Sequence, residues 1–489
     1  MSAQGREGSP SPEDPSPEGM GKLPVGWTNV VIEDCLLAYD NGRKIRQGWS
    51  PQCEGHPAES HEDWGVLKTS AIQDGFFVAA ANKRLPKKLE PRTHLEVEVG
   101  DILITCAGPR SRCGVACLVR GTRPKLLISG KMYQLRADPE IIDRSLLELF
   151  LREPETQKRI DEMKTGISDS GLNLTHSRFA TLIVPLPPLA EQKRIVSKIE
   201  ELFSELDAGE ESLRRARRQL GVYRQSLLKQ AFEGKLTEAW RKQNPDLLGS
   251  RAAPWRDVVV SDVLTSKPTN GRSVKDRTGG FKVLRLTALK NGKIDLHEYK
   301  EGDWEASDAA NHVVRKGDFL LSRGNGSIKL VGRGGVVLEN ADIAFPDTMI
   351  RLPLDLEQVD APFFVYLWNS EQVRRQIENS ARTTAGIYKI NQSLLTRYRL
   401  PLCSLPEQRE IVRLLDEQFT VIEQNERELD AALKRSVALR QSILKKAFTG
   451  QLVSQDPTDE PASELLERIR KERAQGTAKP TKTKQPRGL

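Results

Sequence analysis

One long segment occurs twice in this chain, and the repeat limits the folds that the sequence can adopt. Residues 188–236 and 404–452 align without a gap, so that Glu191 corresponds to Glu407 at a constant numbering offset (407 − 191 = 216). A period of that length indicates a duplicated domain, because solenoid repeats are far shorter. We therefore predict two similar halves, each ending in the same segment.

Each copy carries the signals of one long helix. Prolines precede it, an acidic residue lies in its first turn (Glu191 or Glu407), and a glycine follows its final phenylalanine (Gly234 or Gly450). A helix of about 44 residues is about 66 Å long. The repeat thus predicts two rods of equal length.

The two helices are predicted to pack against each other. Their apolar positions step by four and three residues, an a/d pattern that is buried only against another helix of the same kind. In an antiparallel pair Leu206 faces Ala432 and Ala216 faces Ile422, so large residues meet small ones. The alternative is that both are core helices of separate globular domains, which seldom keep this period over so many heptads. The predicted positions are Ile195, Ile199, Leu202, Leu206, Gly209, Leu213, Ala216, Leu220, Tyr223 and Leu227, then Ile411, Leu415, Gln418, Ile422, Asn425, Leu429, Ala432, Ser436, Leu439 and Ile443.

Composition favours an anionic partner and a cytoplasmic protein. Lysine and arginine exceed the acids by eight (75 − 67), and the sequence pI is about 9.0, as in many nucleic-acid-binding proteins. No apolar run reaches the roughly 18 residues that a membrane span needs. Residues 1–22 lack the apolar core of a signal peptide and are predicted to be a disordered leader.

The cysteines do not predict a metal site or a disulfide framework. Two groups contain ligand-type residues, but neither has the paired spacing of a zinc site, so buried thiols or loop residues are the expected alternative. The groups are Cys53, His56 and His61, and Cys106, Cys113 and Cys117.

The regions before the two helices are predicted to share a common set of framing strands, which we call the frame, and to differ in the middle of the domain. Each opens near a Pro-Trp pair (Trp27 or Trp255), and each contains a Gly-Asp turn followed by a buried strand, at Asp101 and Asp318. The fold class predicted is α+β: two mixed α/β domains separated by two long antiparallel coiled-coil helices in a pseudo-two-fold repeat. The predicted boundaries are leader 1–22, first domain 23–188, first helix 189–236, linker 237–253, second domain 254–403, second helix 404–452 and a mobile basic tail 453–489 with at most one short helix at 462–474.

The loop after each buried strand is the candidate for DNA contact. Arginine, asparagine, serine and lysine side chains can hold phosphates or read base edges, although a solvated hairpin tip would have a similar composition. A basic run at Lys83, Arg84, Lys87 and Lys88 and the residue Arg272 are weaker candidates of the same kind. The loop candidates are Arg110 and Arg112 in the first half, and Arg323, Asn325, Ser327 and Lys329 in the second.

No motif for catalysis is present in the sequence. It has no Gly-x4-Gly-Lys-Ser/Thr loop, no Asn-Pro-Pro-Tyr/Phe stretch, no His-Glu-x-x-His and no Gly-x-Ser-x-Gly. The chain is therefore predicted to recognise a partner rather than to catalyse a reaction, with no catalytic residue and no cofactor of its own.

The repeated motifs resemble those of specificity subunits of type I restriction-modification systems (the HsdS family). The resemblance is carried by P-L-x-x-L-x-E-Q-[K/R]-x-I-V from Pro185 and Pro401, R-Q-S-[L/I]-L-K from Arg224 and Arg440, A-F-x-G-x-L from Ala231 and Ala447, and Pro24-Val25-Gly26-Trp27. It covers nearly all of residues 23–453. The long leader, the basic tail and the absence of a glycine before Trp255 depart from the family pattern.

The resemblance implies a DNA-reading role inside a larger complex. Each globular domain would be a target recognition domain, and each long helix a conserved spacer. Two methyltransferase (M) subunits, which bind S-adenosylmethionine and methylate adenine, would dock on the spacers, and restriction (R) subunits would add cleavage that uses ATP and Mg. Two such readers suit a bipartite site in double-stranded DNA. Candidate docking residues are Phe203, Phe232, Phe419 and Phe448, unless these pack against their own domains.

A structural coiled-coil adaptor that never touches DNA is the alternative function. It explains the helical pattern and the charge. It does not explain two domains with similar frames and different interiors.

Overall fold

The structure divides into two compact units. It is a computed structural model and describes residues 23–248, 255–290, 292–384 and 386–475. Unit 1 consists of residues 1–210 and 433–489, and unit 2 consists of residues 211–432. The predicted leader, 1–22, and the end of the predicted tail, 476–489, lie outside the described residues. Over the described ranges, no helix is both long enough and apolar enough to cross a membrane.

The globular part of unit 1 is built from short strands and three helices. The strands are Thr28–Val31 (β1), Ile45–Gln47 (β2), Gly65–Leu67 (β3), Ile72–Gln73 (β4), Phe76–Phe77 (β5), Asn82–Arg84 (β6), Ile102–Thr105 (β7), Ala107–Gly108 (β8), Ala116–Leu118 (β9), Leu126–Leu127 (β10), Met132–Leu135 (β11), Lys164–Thr165 (β12), Leu172–Leu174 (β13) and Ile183–Leu186 (β14). The helices are Arg144–Arg152 (α1), Pro154–Glu162 (α2) and His176–Ala180 (α3).

An antiparallel sheet of order β2-β11-β7-β9 lies at the centre of unit 1. Its strand β7 is buried at every residue, as the apolar run after Asp101 predicted. Helix α1 starts at an N-cap, where the Asp143 carboxylate accepts hydrogen bonds from the next amides, and it buries Leu146, Leu147 and Phe150 in the core. Smaller sheets in the unit are β1-β14, β10-β3-β6, β12-β13-β8 and β4-β5.

The first long helix is present as predicted and is followed by a short one. Helix α4 spans Leu189–Phe232, 44 residues, and contributes residues to both units. Helix α5, Glu238–Gln243, lies in the segment predicted to be a linker. It forms because Thr237 and Arg241 bind the buried carboxylate of Glu407, which ties this segment to unit 2.

The globular part of unit 2 has a similar inventory. The strands are Arg256–Val259 (β15), Thr269–Asn270 (β16), Asp276–Leu284 (β17), Leu289–Lys290 (β18), Lys293–Ile294 (β19), Tyr299–Gly302 (β20), Asp318–Ser322 (β21), Gly324–Asn325 (β22), Gly334–Val336 (β23), Met349–Pro353 (β24), Arg382–Thr384 (β25), Ile387–Lys389 (β26) and Arg399–Leu402 (β27). The helices are Ala306–Ala309 (α6), Ala361–Trp368 (α7), Glu371–Ser380 (α8) and Gln392–Leu395 (α9).

The second long helix and a terminal helix complete the described chain. Helix α10 spans Leu405–Phe448, again 44 residues. Helix α11, Ala462–Ala474, has the bounds predicted for a short helix, but the prediction of a mobile tail is wrong there. Ala462, Leu465, Leu466 and Ile469 recur at helical spacing and are buried in the unit 1 core, which holds the helix in place.

The frame of unit 1 is repeated in unit 2. The order β16-β24-β21-β23 matches β2-β11-β7-β9, and β15-β27 matches β1-β14. Asp101 lies 2.8 Å from Nε of Arg136 on the neighbouring segment, and the equivalent Asp318 lies 3.7 Å from Nη1 of Arg351. The strands outside this frame differ. Unit 1 adds the sheet β10-β3-β6, whereas unit 2 adds the sheet β17-β20 and the strands β19 and β18.

Within unit 1, the start of α4 packs antiparallel to the end of α10. Ile195 of α4 and Leu444 of α10 share the buried core. The Arg440 guanidinium lies 5.0 Å from the ring centroid of Phe203 and donates to Asp207 at 2.6 Å. Ser436, predicted as a polar position in the helix interface, donates its Oγ–H to Glu210 at 2.8 Å.

Within unit 2, the end of α4 packs in the same way against the start of α10. The Arg224 guanidinium lies 5.0 Å from the Phe419 ring centroid, with Glu426 Oε2 at 3.6 Å. Arg224, Phe419 and Glu426 are the counterparts of Arg440, Phe203 and Glu210, at the same numbering offset as the rest of the repeat (440 − 224 = 216). The duplication therefore includes the cation–π contact between the helices.

Four predicted interface positions are exposed, in two equivalent pairs. Gly209 and Asn425 lie near the middle of the helices, whereas Tyr223 and Leu439, 46% and 52% exposed, lie further along. The last predicted positions, Leu227 and Ile443, are covered again, so each exposed position is a local gap in the pattern. The Tyr223 hydroxyl still donates across the helix pair to Gln418 Oε1 at 3.2 Å.

Candidate nucleic-acid interface

Each unit carries a loop directly after the central strand of its main sheet. The loops close alike, because Gly114 N donates to Thr105 O at 2.7 Å and Gly332 N donates to Ser322 O at 2.8 Å. Gly114 has φ +89° and Gly332 has φ +69°, and at both a Cβ would lie 2.8 Å from an isoleucine Cγ2 of the adjoining helix. Glycine is therefore required at the point where each loop turns back into the core.

A hairpin that the sequence did not predict lies against each loop. In unit 1, β13 pairs with β12 and with β8 of the loop; in unit 2, β26 pairs with β25 and with β22 of the loop. Leu174 N donates to Cys106 O at 2.8 Å, and Ile390 N donates to Arg323 O at 3.0 Å, so the hairpins join their loops at equivalent points. We call the combination the loop-hairpin surface: residues 106–112 with 164–174 in unit 1, and 323–329 with 382–389 in unit 2.

The loop-hairpin surface of unit 2 is basic. Lys329, Arg382 and Lys389 are exposed, and none of them forms an ion pair within the described residues of the unit. Arg323 is half-buried, and its Nη1 lies 3.5 Å from the carbonyl oxygen of Asp347. These cations are free to meet an anion.

Two predicted polar residues shape the unit 2 loop. The Asn325 side-chain oxygen accepts a hydrogen bond from the Ser327 amide at 3.0 Å, which fixes the turn. The Asn325 amide group and the Ser327 hydroxyl keep donors for other partners. The structure thus brings Arg323, Asn325, Ser327 and Lys329 together on one loop.

The equivalent surface of unit 1 is largely neutralised. Arg110 forms ion pairs with Asp161 and, at 3.0 Å, with Asp169. Arg112 donates to the carbonyl oxygens of Thr69, at 2.6 Å, and Ile72, so its guanidinium joins the loop to a neighbouring segment. Arg112 thus has a structural role in unit 1, and its contact with DNA stays a prediction. Arg110 stays a candidate.

Over the described ranges, the basic run of unit 1 contains both exposed cations without an ion pair and one ion-paired arginine. Lys83, Lys87 and Lys88 are exposed and form no ion pair within the described part of the unit. Arg84, in contrast, binds Asp63 at 2.9 Å and lies 3.8 Å from Glu54. The three lysines suit phosphate contact, whereas Arg84 holds the unit together.

Arg272 lies on an aromatic cluster of unit 2 and not on the loop-hairpin surface. Its guanidinium is 5.8 Å from the ring centroid of Trp304, which packs near the His312 ring. Burial, together with the cations Arg351 and Arg272, lowers the pKa of His312. The imidazole is therefore neutral at physiological pH and adds no positive charge there.

The four phenylalanines predicted as docking residues pack within their own units. Phe232 and Phe419 are buried, at 5% and 8% exposure. Phe448 meets Phe150 edge to face at 5.4 Å between ring centroids, and Phe203 lies under Arg440. They face inward because each falls beside the helix interface. This is the alternative that the sequence left open for these residues, and their role in docking stays a prediction.

The cysteines and histidines considered as metal ligands do not assemble. Within the described ranges no group of three or more His, Cys, Asp or Glu side chains is placed to hold a metal ion, and the cysteines are free thiols. Burial raises the pKa of Cys106 and Cys117 to about 12. Both are therefore protonated at neutral pH.

Comparison with known proteins agrees with this arrangement. The model of a family described as "Type I restriction modification DNA specificity domain" matches residues 89–213, which contain the loop-hairpin surface of unit 1. The type I restriction enzyme EcoKI specificity subunit of Escherichia coli (strain K12) is 26% identical over 467 residues, 93% of this chain and 97% of that protein. The StySPI specificity subunit of Salmonella potsdam is 27% identical over 477 residues, 95% of this chain and 99% of that protein.

A solved structure shares the fold. A chain from a study of complex assembly and conformational transition in the type I R-M system matches with a TM-score of 0.63 at 19% identity, over 88% of this chain and 100% of that chain. Likeness to the specificity subunits runs along nearly the whole sequence, and the duplicated motifs lie on the two long helices. The chain is therefore similar over nearly its whole length to type I restriction enzyme specificity subunits, and its residues 89–213 match the DNA specificity domain of such proteins.

Proposed function

We propose that this chain is the DNA sequence-specificity subunit of a type I restriction-modification complex and reads a bipartite site in double-stranded DNA. The observation that carries the proposal is the loop-hairpin surface, which a duplicated frame presents once in each unit with different side chains. Two different recognition domains on one chain suit a DNA site made of two different short sequences, which we call words. Linking the two domains raises the affinity of the second contact.

The exposed cations supply the affinity that does not depend on sequence. Lys83, Lys87 and Lys88 in unit 1 and Lys329 in unit 2 have no acidic partner in the described residues, so they are available to phosphates. Each phosphate contact releases counterions from DNA and makes binding weaker at higher salt. Arg323, Asn325 and Ser327 in unit 2, and Arg110 in unit 1, are the proposed contacts to base edges.

The partners proposed are two methyltransferase subunits and restriction subunits, which would hold the S-adenosylmethionine, ATP and Mg. No residue of this chain is assigned a catalytic role. Exposed apolar side chains on the long helices are proposed as further docking contacts: Val222 and Val421 in unit 2, and Val437 and Leu439 in unit 1. A complex that acts on chromosomal DNA would reside in the cytoplasm.

Mapping of methylated adenines in the host tests the proposal. We expect that deleting the gene removes methylation at one motif of two defined words separated by an undefined gap, and that the intact gene restores it. The reason is that methyltransferase subunits without their specificity subunit have no reader for the site. Single-molecule sequencing of the three strains provides the measurement.

Two outcomes would contradict the proposal. An unchanged methylation pattern after deletion would remove the specificity role. A restored motif with one uninterrupted word would remove the bipartite reading. If the purified chain joins proteins but selects no duplex from a random library, the adaptor function is the better description.

A further inference from the structure

A row of three residues crosses the loop-hairpin surface of each unit. In unit 2, Arg382 lies directly opposite Lys389, which lies opposite Gly324 on the loop strand. In unit 1, Thr165 lies directly opposite Asn173, which lies opposite Ala107. Residues opposite each other in antiparallel strands project from the same face of the sheet. Each row is thus one strip of side chains.

The two rows occupy equivalent positions. The numbering offset between matching members stays at, or one beyond, that of the duplication itself (382 − 165 = 217, 389 − 173 = 216 and 324 − 107 = 217). The residues that follow Asn173 and Lys389 make matching backbone hydrogen bonds, Leu174 N to Cys106 O and Ile390 N to Arg323 O. The two rows are therefore structurally equivalent.

The central residue of each row is exposed, and so is Arg382. Asn173 is exposed between Leu172 and Leu174, which are 4% and 1% exposed. Arg382 and Lys389 are exposed, whereas Ile390, next to Lys389, is 4% exposed. The neighbours hold the hairpins to the cores, and the rows are left for contact with another molecule.

The unit 2 row places two cations against each other. Like charges directly opposite on paired strands destabilise a sheet. Neither Arg382 nor Lys389 has an acidic partner in the described residues to relieve the repulsion. Gly324 leaves the third position without a side chain, and a Cβ added there would lie 3.4 Å from Lys389 Cγ. An electronegative surface close to this strip would remove the repulsion.

The unit 1 row is neutral and carries hydrogen-bonding groups. The Thr165 hydroxyl donates to the Asn173 carbonyl at 3.1 Å. The Asn173 side-chain amide makes no hydrogen bond within the described residues, so both its donor and its acceptor are available. The same three positions therefore carry different recognition chemistry in the two units.

We propose that this row determines part of the sequence read by each unit. Arg382 and Lys389 contact the N7 and O6 acceptors of guanine in the word read by unit 2. Asn173 contacts N6 and N7 of adenine in the word read by unit 1. These are the pairings that the geometry of arginine, lysine and asparagine favours in the major groove, which admits a two-stranded ribbon. The inference rests on the proposed function.

Transplanting the unit 1 row into unit 2 tests the inference. The double variant Arg382→Thr, Lys389→Asn in the full chain, in complex with its methyltransferase subunits, is used to select duplexes from a random library. We expect one word to lose its preference for guanine at one or two positions and the affinity for the wild-type site to fall roughly tenfold to hundredfold. The other word stays unchanged.

A charge-matched control separates readout from general electrostatics. The variant Arg375→Thr, Arg399→Asn removes two cations of unit 2 that are 73% and 75% exposed and lie on α8 and β27. It is expected to keep both words. An unchanged word in the transplant variant, or the same loss in the control, would overturn the inference.

A second variant covers a folding failure of the first. Asn173→Ala in unit 1 is expected to remove an adenine preference from the other word, and retention of that preference overturns the assignment of Asn173. If the wild-type complex itself selects no word, then the proposed function is contradicted, and not merely the assignment of the row to base contacts.

Discussion

Replacing Arg241 with methionine is expected to lower the free energy of unfolding of unit 2 by about 3–5 kcal/mol, because it leaves a buried charge unpaired. Glu407, at the start of α10, is 0% exposed. Its Oε1 accepts from Thr237 Oγ1 at 2.6 Å, from Trp255 Nε1 at 3.1 Å and from Arg241. The arginine supplies the charge that balances this carboxylate. Hydrogen exchange of unit 2 amides in the full chain measures the change.

Two further variants test the cause of the loss. Lys242→Met removes the neighbouring cation, which is 74% exposed and forms an ion pair with Glu238, and should change stability by less than about 1 kcal/mol. Glu407→Gln added to Arg241→Met should recover part of the loss, since the uncharged amide costs less to bury. A double variant as unstable as the single one would show that packing of Arg241, and not its charge, is responsible.

The variant Gly332→Ala is expected to destabilise unit 2 by about 2–5 kcal/mol. A left-handed backbone costs an L-residue about 1–2 kcal/mol, and a forced contact in a core costs about 1–3 kcal/mol. Both costs apply, because Gly332 has φ +69° and a Cβ there would lie 2.5 Å from Ile390 Cδ1 and 2.8 Å from Ile377 Cγ2. The unfolding transition in urea provides the measurement.

Gly326 in the same loop is the matched control. A Cβ at Gly326 would have no atom within 4 Å. Gly326→Ala is therefore expected to leave stability within about 0.5 kcal/mol of wild type. Equal losses in both variants would mean that flexibility of the loop, rather than the closure at Gly332, sets stability.

The long helices were predictable because their signals are repeated and long. The prolines, the first-turn acids and the final glycines bound two segments of the same length, and the structure places both there. The interface pattern failed at four positions, which are exposed: Gly209, Tyr223, Asn425 and Leu439. Phe203 and Phe419, one residue beyond interface positions, were predicted outward but are covered by Arg440 and Arg224.

The hairpins of the candidate site were not predictable from local sequence. β12 has two residues and β25 has three, too few to show an alternating pattern. The hairpins form where their other strands, β13 and β26, pair with loop strands far away in the chain. The equivalent positions of Asn173 and Lys389 could have indicated the hairpins, but only if the alignment of the two halves had been extended beyond the helices into the globular domains.

The interruption of unit 1 by unit 2 has a consequence for synthesis on the ribosome. The unit 1 core buries Ile195 together with Leu444, Leu465 and Ile469. At ordinary elongation rates the two groups emerge roughly ten to fifty seconds apart. During most of that interval unit 2 is incomplete as well, because its core includes Ile411 and Ile422 of α10. We therefore expect the first half of the chain to expose apolar surface until the second long helix has been synthesised.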